Sequence, residues 1–314
     1  MAASGSTRVV LAALAGNLLI AISKFGAAAH TGSSAMLSES IHSLVDTGNQ
    51  WLLLYGMRRA KQPPDATHPF GYGMEVYFWT FVVSILVFAL GAGISIYEGI
   101  DRITHPHPVG DPTINYVVLG VAMLFEATAW WVAYREFNRS RGTLSLLAAV
   151  RRSKDPTVFT VLFEDSAAML GLLVAFLAVW TAHNFDMPIL DGIASVLIGL
   201  ILAVTAAVLA YESKGLLIGE AAHPEEVEMI RKLAIADPRI DGVNAVLTMH
   251  MGPDDVLLNL SLDFADHLSA GELEQTIVEL SERIRANNRQ IKRVFIEARE
   301  GGPITPHVVN GEIG

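Results

Sequence analysis

The chain has no cysteine, so disulfide staples and thiolate metal centres are both excluded, and any metal must be held by imidazole, carboxylate, amide or water. It is also poor in charge. Only 17% of its residues are Asp, Glu, Lys or Arg, where an average soluble chain carries about a quarter. The formal net charge of −10 has the wrong sign for a nucleic-acid partner. The apolar residues, 52% of the chain, are segregated: long uncharged runs fill the first two-thirds, and charged, mixed sequence begins near Glu220. That division predicts a membrane domain followed by a soluble one.

Six runs are long enough to cross a bilayer, at about 8–30, 34–57, 76–100, 114–135, 157–182 and 190–211, each meeting the need for about 20 apolar residues. The first is too long for the apolar core of a secretory signal and is interrupted by Lys24, so it reads as a retained span. Gly and Ala are frequent in these runs, which favours close helix packing in lipid. Lys and Arg concentrate in the 2–3 connection (Arg58, Arg59, Lys61) and the 4–5 connection (Arg135, Arg139, Arg141, Arg151, Arg152, Lys154). The positive-inside rule then places both termini and the soluble part in the cytoplasm. The expected layout is a six-helix transmembrane domain over 1–215, a cytoplasmic α+β domain over 216–300 and a flexible tail over 301–314.

The soluble part has a readable order. Pro224 opens a helix with acidic residues in its first turn, which suits the helix dipole. Val243–Met249 and Val256–Phe264 read as strands, the second alternating Leu258, Leu260, Leu262 and Phe264. Ser269 and Glu272 form a capping box opening a helix to about Ala286, and Arg293–Glu297 closes as a third strand. The order αββαβ predicts a small, ferredoxin-like α+β unit with helices on one sheet face.

The chemistry sits in the second run, Ala35 to Asp46. His42 and Asp46 are four residues apart and share a helix face, with Glu39 three residues before His42. Ionisable groups inside a membrane span are costly and mark an ion path, a proton relay or a ligand site. His42 lies roughly 12 Å and Asp46 roughly 18 Å in from the outer end of the span, and Asp165 of the antiparallel fifth span lies roughly 12 Å from its inner end. In a core about 30 Å thick these depths overlap, so neighbouring helices would bring His42, Asp46 and Asp165 together. Two carboxylates and an imidazole suit Zn²⁺, Mn²⁺ or Fe²⁺. Glu164 projects about 100° away from Asp165 and either adds a fourth oxygen or pairs with another helix. Glu126, near mid-membrane in span four, is a proton carrier or a buried partner of Lys24 or a hydroxyl. Asp191 reads as a cap or interfacial charge, and His105, His107 and His183 as solvated loop residues.

These segments resemble the cation diffusion facilitator family of divalent metal/proton antiporters over nearly all of 8–300. The resemblance rests on Asn17-Leu-Leu-Ile-Ala-Ile-Ser-Lys24, Ser38-Glu-Ser-Ile-His-Ser-Leu-Val-Asp46, His68-Pro-Phe-Gly-Tyr-Gly-Met-Glu75, Asp191-Gly-Ile-Ala-Ser195 and the αββαβ tail. Asp155-Pro-Thr and Leu162-Phe-Glu-Asp-Ser-Ala-Ala168 are most like the branch containing the animal mitochondrial zinc transporter. The resemblance implies a transport site at His42, Asp46 and Asp165. The family's remaining histidine falls on Val161, which cannot bind metal, leaving Glu164 or water to complete the shell. In the loop motif, Tyr72 stands where the family has a second His and Met74 where it has Lys, leaving Asp65 and His68 as candidate ligands of a peripheral site. The strands that carry a His cluster in other members offer mainly Asn244, Ser261, Glu297 and Arg299 here, while His223, His250 and His267 do not match it. No strong binuclear site is therefore expected there, and dimerisation is the tail's implied role.

The implied function is metal efflux by proton antiport, since protons and metal compete for the same imidazole and carboxylates. The metal (zinc, or manganese, iron or cobalt) is the transported substrate and not a cofactor. The implied setting is a multi-pass homodimer in a lipid bilayer, the inner membrane if the host is bacterial. The rival readings are a transport-deficient scaffold or metal sensor, supported by Val161, and a membrane hydrolase, for which no nucleophile elbow or zincin motif is present.

Overall fold

The computed structural model describes residues 3–106, 111–142, 144–185 and 187–301; the segment expected as a flexible tail lies outside them from residue 302 onward, as does His107. The chain divides into two compact units, one of residues up to Gln62 together with Glu75–Lys214, the other of Pro63–Met74 together with the chain from Gly215. The loop at 63–74 thus belongs with the C-terminal unit by its contacts, although in sequence it joins two helices of the first.

The first unit is helical. Helix α1 (Ala3–Thr31) turns at Gly32, whose φ of 68° suits the residue without a Cβ, into α2 (Ser34–Ala60), capped where the hydroxyl of Ser33 accepts the Met36 N–H at 3.2 Å. Helix α3 (Glu75–Leu86) runs through a π-helical turn at Val87–Ala92 into α4 (Gly93–Thr104). Then come α5 (Thr113–Ser140), the short α6 (Leu146–Arg152), α7 (Pro156–Phe185) and α8 (Ile189–Leu217). Among the described residues, four stretches are long and apolar enough to cross a membrane by length and composition: Glu75–Thr104, Thr113–Arg135, Phe159–Phe185 and Ile189–Ile218. Helices α1 and α2 are 29 and 27 residues long, but α2 buries Ser34, Ser38, Glu39, Ser40, His42, Ser43 and Asn49, and that polar content keeps it out of the apolar set.

Helix α2 is central, packing against α1, α3, α4 and α7, while α5 lies along α7 and α1. Spans two and five of the sequence reading are therefore neighbours. A core of small and branched residues, among them Ala35, Met36, Leu119, Leu172, Ala175, Ile198 and Leu202, fills the bundle. Helices α4 and α8 meet almost backbone to backbone. A Cβ at Gly99 would lie 2.7 Å from the Gly192 carbonyl, and one at Gly199 would lie 3.0 Å from that of Ala92. This is the small-residue contact that holds helices together where lipid removes the hydrophobic drive.

The second unit contains α9 (Pro224–Ile235), β1 (Ile240–Gly252), β2 (Asp255–Phe264), α10 (Ala270–Asn287) and β3 (Ile291–Ala298). The sheet order is β1-β2-β3, with β1 and β2 antiparallel and β2 and β3 parallel. Strands β1 and β3 extend beyond their expected ends because the β2 ladder continues to pair them, from Ile240 opposite Phe264 to Ala298 opposite Leu262. Val256, Leu258, Leu260 and Leu262 bury one face of β2 in a core with Ile230, Ala234, Leu280 and Ile284 of the two helices. On the other face, Leu247, Asn259 and Phe295 lie in register across the three strands and all are exposed. The loop at 63–74 is held to β3 by Arg293, which donates to the Phe70 carbonyl at 2.8 Å.

Candidate functional site

The polar interior of the bundle starts with α2. At a rise of 3.6 residues per turn, His42, Asp46 and Asn49 (i, i+4, i+7) line one stripe. His42 and Asn49 are each 1% exposed; the Asp46 side chain is 14% exposed and its Oδ2 lies 3.4 Å from His42 Nε2, without hydrogen-bond alignment. From α7, Glu164 (5% exposed) accepts a hydrogen bond from Asn49 Nδ2 at 2.9 Å, which ties α2 to α7 at this level. Asp165 is 9% exposed. Next to it Ser166 accepts the indole N–H of Trp130 on α5 at 2.9 Å, and this bond fixes the rotation of α7.

Several buried atoms here lack any hydrogen-bond partner among the described residues: both ring nitrogens of His42, Asp46 Oδ1, Asp165 Oδ2 and Asn49 Oδ1. Buried polar atoms are almost always satisfied, so five orphans on two facing helices mark a place for a ligand or water. Glu164, Glu126 and Asp165 all lie within electrostatic reach of Asp46. The four expected ligands arrive as two pairs, His42–Asp46 on α2 and Glu164–Asp165 on α7. Among the described residues, no three His, Asp or Glu side chains are grouped tightly enough to hold a metal ion.

Other expected residues have definite places. Glu39 does not join His42 and Asp46: its Oε2 takes the Lys24 ammonium at 3.0 Å. Lys24 also donates to Ser43 Oγ at 2.7 Å, so its buried partner is Glu39 and not Glu126, which is half-buried on α5. Asp191 is a cap, but of a neighbouring helix: in the first turn of α8, it accepts from Ser33 Oγ (2.6 Å), Ser34 N (2.5 Å), Ser34 Oγ (2.9 Å) and Ala35 N (3.4 Å). His105 and His183 are exposed, and His105 Nδ1 lies 3.2 Å from Asp101.

In the loop, Asp65 is occupied by its own surroundings. Its Oδ2 accepts the Tyr72 hydroxyl at 2.7 Å, and its Oδ1 accepts the N–H groups of Thr67 and His68 at 2.9 and 2.7 Å. The Tyr72 bond, then the backbone bonds, hold the carboxyl below its usual range. His68 lies 3.8 Å from Asp65, and its ring packs tilted against that of Tyr72. His250 is buried, its Nδ1 3.3 Å from the Gly252 carbonyl. Asn49 was missed by sequence reasoning; its signal was an amide three residues after Asp46, on the stripe already occupied by His42.

Apolar helices of membrane-spanning length around buried carboxylates and an imidazole define a membrane protein that handles cations. Residues 10–218 match the cation efflux transmembrane domain, and the chain belongs to the cation efflux family, a family of transporters in which the metal is the cargo and not a resident cofactor. It is 32% identical over 287 residues, 88% of its length, to the proton-coupled zinc antiporter SLC30A9, mitochondrial, of Mus musculus, covering 50% of that protein. It is 29% identical over 261 residues to metal tolerance protein C4 of Arabidopsis thaliana, covering 82% of this chain and 57% of that one. To the cation-efflux pump FieF of Escherichia fergusonii it is 25% identical over 284 residues, 87% of this chain and 88% of the pump. The chain thus spans about half the length of the mitochondrial antiporters it matches.

Proposed function

We propose that this protein exports a divalent metal ion, zinc first and manganese, iron or cobalt as alternatives, in exchange for protons. The names of the mouse antiporter and the bacterial pump point to zinc, proton coupling and efflux. The observation that carries the reading is the set of orphaned donors on His42, Asp46 and Asp165, buried on the facing helices α2 and α7. Helices α1 and α2 complete a six-span bundle with the four apolar stretches, both termini are cytoplasmic, and the C-terminal unit is a ferredoxin-like cytoplasmic domain. Homodimerisation is supported by the exposed, register-matched Leu247 and Phe295 on its open sheet face.

The exchange follows from the ligands. Metal binding needs neutral imidazole at His42 and ionised carboxylates at Asp46 and Asp165, with Glu164 as the further oxygen, so each ion bound displaces protons and each proton bound weakens the site. Rocking of helices about this fixed point then exposes the site to one side or the other. A second reading, a transport-deficient scaffold or sensor, is favoured by Val161 and by the separation of the donors into pairs.

Proteoliposomes carrying a pH gradient and tested with Zn²⁺, Mn²⁺, Fe²⁺ and Co²⁺ decide between them. Metal-stimulated proton movement is expected from the wild-type protein, and H42A or D46A is expected to reduce it at least a hundredfold while the protein still folds. A wild-type protein that moves none of the four ions sinks the transport reading, and full activity in D46A sinks the site.

A further inference from the structure

We propose that Asn49 is a metal ligand: its side-chain oxygen completes the transport site at the level where Val161 withholds a donor. The inference rests on the transport site argued above and adds a residue to it.

Asn49 follows Asp46 by three residues, so their side chains are neighbours on α2. It is 1% exposed, and its Nδ2 donates to Glu164 Oε1 at 2.9 Å. The bond runs from the amide nitrogen to Glu164 Oε1, so the side-chain oxygen of Asn49 is turned away from that carboxyl. That oxygen is buried and has no partner among the described residues, like the adjacent Asp46 Oδ1 and, on α7, Asp165 Oδ2. A well-packed helix interface has no use for an amide held in this way, whereas a cation site has: a carbonyl oxygen is a hard donor already stripped of water and aimed by a second hydrogen bond.

Val161 lies one turn before Asp165 on α7, and Glu164 shares its side of the helix at i+3. Because α2 and α7 run antiparallel, Asn49, one turn past Asp46, faces the turn of α7 that holds Val161 and Glu164, and the hydrogen bond between Asn49 and Glu164 marks that level. Glu164 is then both the residue that orients Asn49 and the nearest further oxygen. The resulting set, one imidazole with carboxylate and amide oxygens, is harder than a site with two imidazoles, and it suits Mn²⁺ relatively better and Zn²⁺ relatively less well.

The test is equilibrium binding of ZnCl₂ and of MnCl₂ to the purified full-length protein in detergent, with gel filtration and helical circular dichroism as folding controls. N49L, nearly isosteric, is expected to weaken binding about tenfold or more for both ions, with the larger loss for Mn²⁺. Adding V161H to N49L is expected to restore Zn²⁺ binding to within threefold of wild type, since it returns a donor to the same level, a rescue that a purely structural role for Asn49 would not produce. Where N49L does not fold, N49A, which removes the amide and its oxygen with less bulk, takes its place with the same expected loss. Binding changed by less than threefold in the folded variant, or a loss that V161H leaves unrepaired, overturns the assignment. D46A in the same assay separates the two levels of inference. Wild-type binding in D46A defeats the transport site itself, whereas loss in D46A with wild-type binding in N49L defeats only the role of Asn49.

Discussion

The ammonium of Lys24 on α1 lies 3.0 Å from Glu39 Oε2 and 2.7 Å from Ser43 Oγ on α2, and neither charged side chain is accessible from outside. Across the pair, α7 presents Gly171, where a Cβ would collide with Glu39 Oε1, so the glycine is what admits the carboxylate. This ion pair lies one turn from His42 and joins the helix that carries His42 and Asp46 to its neighbour.

Breaking such a pair leaves an uncompensated buried charge, at a cost of about 3–5 kcal/mol, whereas replacing both members with apolar residues is often neutral. E39Q or K24M is therefore expected to destabilise the detergent-solubilised protein by about that amount, and K24M/E39L to recover most of it. Thermal unfolding of the three variants measures the coupling; equal stability in all of them would remove the pair from the account of the fold.

Asp191 provides the next prediction. It accepts four hydrogen bonds at the start of α2 from Ser33, Ser34 and Ala35, and Arg102 Nε lies 3.8 Å away. D191A leaves buried donors unmatched and is expected to cost about 3 kcal/mol, the upper end for such losses; D191N, which keeps one accepting oxygen, should cost less. Faster hydrogen exchange confined to the first turns of α2 and α8 would check the mechanism, and unchanged exchange there would refute it.

In the C-terminal unit Asp237 is clamped by Arg239 (2.9 Å) and contacted by Arg283 (2.5 Å). Hydrogen bonds from Arg239, and then from Arg283, hold its carboxyl well below the usual range. A depressed folded pKa adds stability that is complete above the ordinary aspartate value of about 3.9 and is lost as pH falls through the folded value. Exchange protection of α9 and β1 in the full-length protein should thus weaken below about pH 4. D237N should lower it by about 1–2 kcal/mol at pH 7, a discounted figure because the two guanidinium groups are 30% and 41% exposed, and should flatten the acid limb. An equally steep limb in D237N would place the acid sensitivity elsewhere.

The parts of this protein that were legible in advance depend on near neighbours. The capping box at Ser269 and Glu272 forms as read, with the Ser269 N–H donating to Glu272 Oε2 at 2.8 Å, because it closes within one turn. The alternation in β2 placed Leu258, Leu260 and Leu262 in the core because side chains on a strand alternate faces whatever lies beyond. The depth of Asp165 in its span, matching that of His42 and Asp46, was legible as well, but that α2 and α7 are neighbours came only from their packing. Glu39 was not: its spacing from His42 pointed to the metal face, but a lysine on α1 claims it.

By itself, the sequence determined the helices, strands and turns, the lack of thiolate ligands, and the presence of imidazole and carboxylate on one stripe of α2, since each depends on composition or on a period of a few residues. Only the tertiary structure decided that Asp191 caps a helix 157 residues away in the chain, that Lys24 belongs to Glu39, and that Asn49 meets Glu164. Inside a bilayer every partner is equally shielded from water and burial alone ranks none of them. Helix rotation and the close approach allowed by glycine then choose which polar groups touch, and neither is written in local spacing.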